Sequence, residues 1–371
     1  MKKVIISVSN DLATDQRVQR HISVLLKKGY QVHFIGRKLP TSLDFKPDGY
    51  QTKRFKLWFQ KGFLFYGNLN LRLFFYLLFN KADLYFSNDL DTLLPNYLVA
   101  KLFGKPLIYD SHEYFTGVPE IQNRKLVKQV WTKIEASIFP KLKHVITVNE
   151  SIADLYESDY GIRPLVIRNV ASKVLPEITL SRSDLKLPQD AYLIINQGSG
   201  INVDRGMEEM LMALKLLPSN YHFVLVGKGD VLEYLKQKAK EDSLLNRVHF
   251  IPSQPYVQML QYTLNADLGI SLDKDTNINY RFSLPNKVFD YMKCGIPLLV
   301  SNLKEPSALV LRYNIGKITS VDAQEIAQAV LELSTNGKEV FQANLAQAAA
   351  ENNYEKESEI LEDLLSELHS Q

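Results

Sequence analysis

Residues 284–301, LPNKVFDYMKCGIPLLVS, place a cation and a carboxylate at the start of a helix. Lys287 and Asp290 are three positions apart, so their side chains are neighbours on one helical face. The free backbone N–H groups at a helix N-terminus favour a bound anion. A nucleotide would offer phosphates to the amides and to Lys287, and ribose hydroxyls to Asp290. The alternative is an ordinary βα unit in which Lys287 and Asp290 form a solvated pair.

A second candidate for phosphate binding is the sequence NQGSG at residues 196–200, which Arg205 follows closely. Glycines directly after a strand let the backbone approach a diphosphate, and the planar fork of an arginine can neutralise it. Gly227, in the sequence VGKGD, stands at the end of another apolar run. The alternative for residues 198–205 is a tight turn and a surface arginine.

In the first half of the chain, His112 stands between Asp110 and Glu113, directly after a short apolar run. One carboxylate can orient the ring while the other ring nitrogen faces a substrate. His112 has no partner at the spacing of metal ligands, so we expect no metal site. The absence of a Gly-x-Ser-x-Gly motif argues against a serine triad.

Polar residues also follow the first apolar run, at Asn10, Asp15 and Arg17. They could face a ligand beyond the end of a strand. Alternatively, Asp15 only caps the next helix and Arg17 forms a surface ion pair. The G-x-G-x-x-G signature of a dinucleotide site is missing here, which makes a nicotinamide enzyme a poor interpretation.

The candidate residues follow short apolar runs that alternate with helix-length segments along the whole chain. Runs rich in Val, Ile and Leu are typical of parallel strands covered on both faces, and in such sheets ligands bind at the carboxyl ends of the strands. We therefore predict an α/β fold. Its strands are expected at 4–9, 32–36, 84–87, 106–109, 144–148 and 165–167, and at 192–196, 222–226, 248–251, 266–272, 297–300 and 316–319.

The length of 371 residues exceeds what one hydrophobic core usually supports. We predict a first domain at 1–172 and a second at 191–353. Residues 173–190 contain two prolines and no sustained period, which favours a connection between domains. Residues 354–369 have the periodicity of a helix with one buried face.

Composition narrows the class of protein. The apolar fraction of 46% and the charged fraction of 23% are typical of a globular chain, and a net charge of +3 gives no reason to expect nucleic-acid binding. A single cysteine, Cys294, and an N-terminus without a signal-peptide core predict a cytoplasmic location. No run approaches the roughly 20 apolar residues that span a bilayer.

Taken together, these motifs resemble the retaining GT-B glycosyltransferases of family four, the group 1 enzymes. In that family a helix carries a sugar-nucleotide-binding acid just before an A-G-x-P-like turn, as Asp290 does before GIP at 295–297. The sequence DSH at 110–112 is similar to the family's Asp-x-His segment. DQRV at 15–18 is similar to its Asp-x-Arg-Val opening.

The resemblance implies an α/β fold of the GT-B type, with two doubly wound Rossmann-like domains facing across a cleft. It also implies that the last helix, 354–371, returns to the first domain. The implied activity is transfer of a sugar from a nucleoside diphosphate sugar to a glycan or lipid-linked acceptor, in cell-surface polysaccharide biosynthesis. No metal and no other cofactor is expected.

By the same resemblance, the site residues form three sets. His112, Arg205 and Lys287 are expected to act in catalysis. The donor is expected to contact Gly198, Ser199, Arg205, Gly227, Pro285, Asn286, Lys287 and Asp290, and the acceptor or cleft side is expected to comprise Asn10, Asp15, Arg17, Asp110 and Glu113.

The chain departs from the family pattern at two places. Phe282 stands where the first acid of the donor motif is usual, and Ser199 stands where one of two cations is usual. Two rival interpretations therefore stay open. One is a sugar-nucleotide epimerase of the same fold, and the other is a catalytically silent partner that binds a nucleotide sugar.

Residues 51–82 contain six Lys or Arg residues, ten aromatic residues and no acid. This composition suits contact between residues 53–79 and an anionic surface at the inner face of the cell membrane. Trp58, Phe59, Phe63 and Phe65 would enter the headgroup boundary, and Lys53, Arg54, Lys56 and Lys61 would meet the lipid. The alternative is a core helix at 71–79 that follows a solvated basic strand.

Overall fold

The computed structural model of the protein describes residues 1–370 except 14, 41, 43, 123, 176 and 178, and it leaves undescribed the side chains of 119, 120 and 370. The chain divides into two compact units. The first comprises Met1–Asn169 and Glu357–Gln371, and the second comprises Val170–Lys356.

The first unit is built on a parallel sheet of seven strands. These are β1 (Lys3–Asp11), β2 (Gln31–Arg37), β3 (Gln51–Phe55), β4 (Leu84–Asn88), β5 (Leu107–Ser111), β6 (His144–Thr147) and β7 (Leu165–Val166), in the order β3-β2-β1-β4-β5-β6-β7. Its helices are α1 (Gln16–Lys27), α2 (Gly62–Phe79), α3 (Leu90–Phe103), α4 (Pro119–Gln122), α5 (Lys125–Ile138) and α6 (Glu150–Tyr160).

The second unit is built on a parallel sheet of six strands. These are β8 (Tyr192–Gly198), β9 (Tyr221–Gly227), β10 (Val248–Ile251), β11 (Leu268–Ser271), β12 (Leu298–Ser301) and β13 (Gly316–Thr319), in the order β10-β9-β8-β11-β12-β13. Its helices are α7 (Met207–Leu216), α8 (Leu232–Glu241), α9 (Tyr256–Leu264), α10 (Ile278–Arg281), α11 (Asn286–Lys293), α12 (Lys304–Tyr313), α13 (Ala323–Asn336) and α14 (Gln342–Glu351), and α15 (Tyr354–Ser370) ends the chain.

The strands lie where continuous apolar runs predicted them, because helices cover both faces of each sheet. Val4, Ile5 and Ile6 of β1 are fully buried, as are Leu193, Ile194 and Ile195 of β8. Strand β3 is the exception, since it was not among the predicted runs. It is an edge strand with the sequence QTKRF, in which Gln51 and Lys53 are exposed and Phe55 is buried.

Both sheets reverse their strand order next to a central strand. In the first sheet this happens between β1 and β4, and in the second between β8 and β11. Ligands of open α/β sheets bind beyond the carboxyl ends of the strands at such a reversal. Each unit therefore has one edge at which polar side chains can converge.

Residues 173–190, predicted as a connection, belong to the second unit. Leu185 and Leu187 are buried, and Arg182 donates to the carbonyls of Asn265 and Ala191 and forms an ion pair with Asp267. The first part of the segment lies in the same unit. These contacts explain why the unit begins well before β8.

The C-terminal part of α15 belongs to the first unit. Glu357 is almost fully buried and accepts hydrogen bonds from the backbone and guanidinium of Arg168, at 2.7 Å and 2.9 Å. Leu361, Leu364, Leu365 and Leu368 are buried along the same helix. An apolar stripe and the ion pair of Glu357 with Arg168 thus help to hold this helix in the first unit.

Helix α2 has one side in the core of the first unit and another side exposed. Leu69, Leu73 and Leu77 are buried, whereas Phe63 and Phe79 are 75% and 79% exposed. By length and composition, α2 is the one described helix that is long and apolar enough to cross a membrane. In the folded unit, 22% of this helix is buried.

Two residues expected at the exposed face of this region lie elsewhere. Phe65 is buried, where the Arg37 guanidinium lies 4.8 Å from the centre of its ring. Arg54 forms an ion pair with Asp11 at 2.6 Å. The helical repeat turns Phe65 toward the sheet, and the β3 pleat turns Arg54 toward β1, so neither belongs to the outer surface.

Candidate functional site

The predicted site residues form two groups, one at the carboxyl edge of each sheet. The second unit contains Gly198, Ser199, Arg205, Gly227, Pro285, Asn286, Lys287 and Asp290, and the first contains Asn10, Asp15, Arg17, Asp110, His112 and Glu113. Each group is described within its own unit.

Lys287 lies in the first turn of α11 and points to the end of β8. Its Nζ donates to Asn196 Oδ1 at 2.6 Å. Burial lowers the pKa of Lys287 to about 8, against an opposing effect of Asp273. Lys287 is therefore a partly buried cation at neutral pH and not half of a solvated pair with Asp290.

Arg205 lies just before α7 and is fixed from two sides. It forms an ion pair with the buried carboxylate of Asp273, and its guanidinium carbon lies 4.1 Å from the centre of the Tyr280 ring. Burial acts to lower the pKa of Arg205, but Asp273 and Tyr280 outweigh it and raise the pKa. The guanidinium stays charged and has a defined orientation, unlike a surface arginine.

Asp290, one turn after Lys287 on α11, is 5% exposed. Its Oδ1 accepts a hydrogen bond from the Tyr256 hydroxyl at 2.6 Å, and its Oδ2 accepts one from Gln197 Nε2 at 2.9 Å. The amide of Gln197 in turn accepts from the Thr263 hydroxyl. A network of β8, α9 and α11 thus sets the position of the carboxylate.

The predicted glycines have different surroundings. A side chain on Gly198, at φ 131°, would enter open space, whereas one on Gly227, at φ 143°, would lie 1.8 Å from the Gly198 carbonyl oxygen. Gly227 therefore permits close approach of the paired ends of β8 and β9, and Gly198 leaves an open edge. Ser199 and Asn286 are exposed at this edge, and Pro285 precedes α11.

Several buried polar atoms in this group have no hydrogen-bond partner among the described residues. They are Asn196 Nδ2, Arg205 Nε and Asp273 Oδ1. Orphaned polar groups are costly inside a protein and usually mark a site that a ligand or water completes. With Arg205 and Lys287 beside them, the chemistry favours an anion that also carries hydrogen-bonding groups.

In the first unit, Arg17 and Asp110 form a buried ion pair. Arg17 Nη2 and Nε donate to the two carboxylate oxygens at 2.7 Å and 2.9 Å, and Arg17 Nη1 donates to the Ile167 carbonyl. His21 Nε2 also lies 3.1 Å from Asp110. Burial acts to raise the pKa of Asp110, but Arg17 and His112 hold it well below its usual range. Arg17 is thus no surface pair.

His112 is 22% exposed and lies between two carboxylates. Its Nδ1 is 3.3 Å from Asp89 Oδ2, and its Nε2 is 3.4 Å from Asp110 Oδ2. Burial acts to lower the pKa of His112, but Asp89 and Asp110 together raise it to about 9. Both ring nitrogens thus lie near acids, but Nε2 has no hydrogen-bond partner among the described residues. That one ring nitrogen is left for a substrate stays a prediction.

The remaining residues of this group are peripheral to that cluster. The Asp15 side chain accepts from the Val18 N–H at 3.2 Å and caps α1, as the structural alternative proposed. Asn10 and Glu113 are exposed beside the ends of β1 and β5. These residues lie at the same edge of the sheet as His112, and their role in binding stays a prediction.

Three residues that position the site were missed: Tyr256, Asp273 and Asp89. Asp273 and Asp89 come directly after the predicted strands 266–272 and 84–87, so the sequence could have indicated their place at a carboxyl edge. Tyr256 gave no such signal, because its partner, Asp290, is more than 20 residues away along the chain. The described residues contain no cluster of three or more His, Cys, Asp or Glu that could hold a metal ion.

Two family models cover most of the chain. Residues 16–170 match the model described as Glycosyltransferase Family 4, and residues 177–356 match Glycosyl transferases group 1. Two curated relatives are both called chitobiosyldiphosphodolichol beta-mannosyltransferase. The protein from Debaryomyces hansenii is 24% identical over 46% of this chain and 36% of its own length, and that from Dictyostelium discoideum is 28% identical over 36% and 27%. The match thus spans about a third of the length of these relatives.

Solved structures share the fold over nearly the whole chain. Sucrose-phosphate synthase from Thermosynechococcus elongatus aligns with a TM-score of 0.83 and 16% identity over 100% of both chains. WaaG, a glycosyltransferase involved in lipopolysaccharide biosynthesis, aligns at 0.77 and 13% identity over 97% of this chain and 99% of its own. HepE from Anabaena in complex with UDP-glucose aligns with a TM-score of 0.75 and 15% identity, over 99% of this chain and 100% of its own.

Two parallel α/β sheets and these structural alignments define the GT-B fold. Within that class, the chain belongs to the group 1 glycosyltransferases of family 4. The predicted fold class and family are confirmed.

The charge on His112 should make stability depend on pH. Its pKa rises on folding from about 6.5 to about 9, so the stabilisation is complete below pH 6.5 and is lost as pH rises through 9. The His112→Gln variant should be less stable than the wild type at pH 6, by on the order of 3 kcal/mol at most, and nearly equal at pH 9.5. Urea unfolding at both values checks this. A difference in unfolding free energy between the two proteins that is the same at both pH values would contradict the raised pKa of His112.

Proposed function

We propose that the protein is a retaining glycosyltransferase that moves a sugar from a nucleoside diphosphate sugar to a glycan or lipid-linked acceptor in cell-surface polysaccharide biosynthesis. The observation that carries this proposal is the arrangement of Arg205, Lys287 and Asn196 at one carboxyl edge of the second unit. Two fixed cations and an orphaned amide donor suit a diphosphate with attached hydroxyl groups.

Each group has a role in this proposal. Arg205 and Lys287 bind the diphosphate and stabilise the charge that develops on it as the sugar departs. The α11 N-terminus adds backbone N–H donors. Asp290 is assigned to the ribose hydroxyls, because an ionised carboxylate accepts hydrogen bonds and donates none.

The first unit supplies a charged cluster for the sugar or the acceptor. His112 enters the reaction as an imidazolium between two acids. It can therefore stabilise negative charge that develops on the substrate, but it cannot act as a general base at neutral pH. Retention needs no protein nucleophile in this proposal. Catalysis then rests on positioning and on charge stabilisation, without a metal ion.

The comparisons support the substrate classes. HepE, which shares the fold, has been solved with UDP and with UDP-glucose. The names of the curated relatives specify a dolichol diphosphate, which is a lipid-linked acceptor, and WaaG is named for lipopolysaccharide biosynthesis. The HepE complexes are consistent with a nucleoside diphosphate sugar as donor, and the names of the other proteins are consistent with an acceptor at a membrane.

Donor turnover by the purified protein tests the proposal. UDP- and GDP-sugars are incubated with EDTA and with lipid-linked or simple glycoside acceptors, and the products are identified by NMR. We expect a nucleoside diphosphate and a glycoside with the donor's anomeric configuration. Release of free UDP and a new sugar without an acceptor would indicate an epimerase. Donor binding without turnover would indicate a catalytically silent partner. A β-linked product from an α-linked donor would contradict retention.

Replacing Arg205 by alanine should weaken UDP binding far more than uridine binding. A charge-assisted contact to phosphate contributes about 1.5–3 kcal/mol, or roughly tenfold to more than 100-fold in Kd. Calorimetry with both ligands measures the difference. The control is Arg281→Ala, which removes an exposed arginine of the same unit that pairs only with Asp275 among the described ion pairs. Equal losses for UDP and uridine would refute the phosphate role.

We further propose that α2 and the segment before it contact anionic lipid at the inner face of the cell membrane. Lys53, Lys56 and Lys61 are exposed near Trp58, which is 78% exposed. The Arg72 guanidinium lies 4.7 Å from the centre of the Trp58 ring, a combination suited to the headgroup boundary. Because Leu69, Leu73 and Leu77 are buried in the unit, α2 is suited to lie along a bilayer and not to cross it.

Replacing Lys53, Lys56 and Lys61 together by glutamine should reduce cosedimentation with vesicles of phosphatidylglycerol. Each basic residue near an anionic surface contributes roughly 1 kcal/mol, so binding should fall at least tenfold at low salt. The matched control replaces Lys186, Lys236 and Lys240, three exposed lysines of the second unit. If the wild type ignores these vesicles at low salt, or both triple variants lose binding equally, the proposal fails.

A further inference from the structure

Asp89 has a backbone conformation that residues other than glycine rarely adopt. It stands between β4 and α3 with φ 58° and ψ 164°. This region is populated almost only by glycine, and another residue there costs about 1–3 kcal/mol. Strong contacts elsewhere must therefore hold Asp89 in place.

The Asp89 carboxylate does not serve the helix that follows it. An aspartate in this position usually accepts a hydrogen bond from an N–H of the first helical turn, but none of the described bonds joins this side chain to α3. Instead, Oδ1 accepts from the His112 backbone N–H at 3.0 Å, and Oδ2 lies 3.3 Å from His112 Nδ1. One carboxylate thus holds both the backbone and the ring of His112.

The backbone of Asp89 adds a further tie to the same place, because its N–H donates to the Asp110 carbonyl at 2.8 Å. The other acid at His112 is already occupied. The Asp110 carboxylate accepts two hydrogen bonds from Arg17 and contacts His21, and His112 Nε2 lies 3.4 Å from it. The described ion pairs of Asp89, by contrast, involve His112 alone.

We propose that Asp89 is a positioning residue for glycosyl transfer, whose carboxylate fixes His112 at the carboxyl edge of the first sheet at the expense of its own strained backbone. The expected effect of Asp89 on glycosyl transfer rests on the proposed function. The contact between Asp89 and His112 is tested separately, by a measurement that needs no turnover.

The charges that face His112 come from several elements. Asp89 and Asp110 favour its protonated form, whereas Arg17 disfavours it, and His112 also interacts with His21 and with Asp91 on α3. Arg17, Asp110 and His21 stay in place when Asp89 is changed. Loss of the Asp89 charge should therefore reduce the proton affinity of His112 by about tenfold or more.

The first measurement is a histidine NMR titration of the full chain, with His112→Gln used to assign the signal. Asp89→Asn keeps an oxygen for the His112 backbone N–H but removes the negative charge at Nδ1. We expect a lower His112 pKa in Asp89→Asn. In Asn314→Gly, which removes a positive-φ residue (φ 51°) from the second unit, the His112 pKa should equal that of the wild type.

The second measurement is stability together with donor turnover. Asp89→Gly removes both the strain and the carboxylate, so it should unfold at a temperature no lower than Asp89→Asn does. Both variants should lower kcat by at least about tenfold while the Kd for UDP stays within twofold, because the UDP contacts are assigned to the second unit. Asn314→Gly should leave kcat and Kd unchanged.

The outcomes separate the two proposals. An unchanged His112 pKa in Asp89→Asn overturns the positioning role, whatever the activity. An unchanged kcat in Asp89→Asn, in a wild type that turns over UDP-glucose or GDP-mannose, overturns it as well. A wild type that binds and consumes none of the UDP- and GDP-sugars overturns the proposed function, while the titration and the unfolding temperatures still decide whether Asp89 holds His112.

Discussion

Burial on both faces is the constraint on which this structure depends. Parallel strands joined through helices are covered above and below, so their side chains must be apolar over most of their length. Fully buried residues such as Ile5 in β1 and Ile194 in β8 meet this requirement. Polar groups are then confined to the strand ends, and the strand-order reversals at β1/β4 and β8/β11 leave space there. The location of both candidate groups follows from the packing of the sheets.

At those edges, the pairing of buried charges determines which charged side chains remain available to bind a ligand. A buried charge without a partner is costly, and the folded chain pairs its charges within each unit. Asp110 is held by Arg17 and Asp273 by Arg205. Lys287 has only a neutral partner, the Asn196 amide, among its described hydrogen bonds, and burial lowers its pKa to about 8. The second unit thus retains a partly neutralised cationic edge suited to a phosphate.

The two groups differ in how they are fixed. In the second unit, Asp290 accepts hydrogen bonds from two neutral donors, Gln197 and Tyr256. In the first unit, His112 is positioned by carboxylates and at the cost of backbone strain at Asp89. Neutral donors fix an acid without neutralising it, whereas two acids both fix and charge an imidazole. This difference fits a binding role for Asp290 and an electrostatic role for His112.

The sequence by itself determined the fold class, every strand except β3 and the edge at which the candidate residues lie, because apolar periodicity and the position after a strand are local properties. Arg205, Lys287, Asp290 and His112 were predicted as site residues from short motifs, which are local as well. Only the tertiary structure decided their partners. The contacts of Asp89 with His112, of Asp273 with Arg205 and of Asn196 with Lys287 join residues far apart in the chain. Contacts with other strands likewise decided the side on which Phe65 and Arg54 lie, because Phe65 packs against Arg37 of β2 and Arg54 pairs with Asp11 of β1.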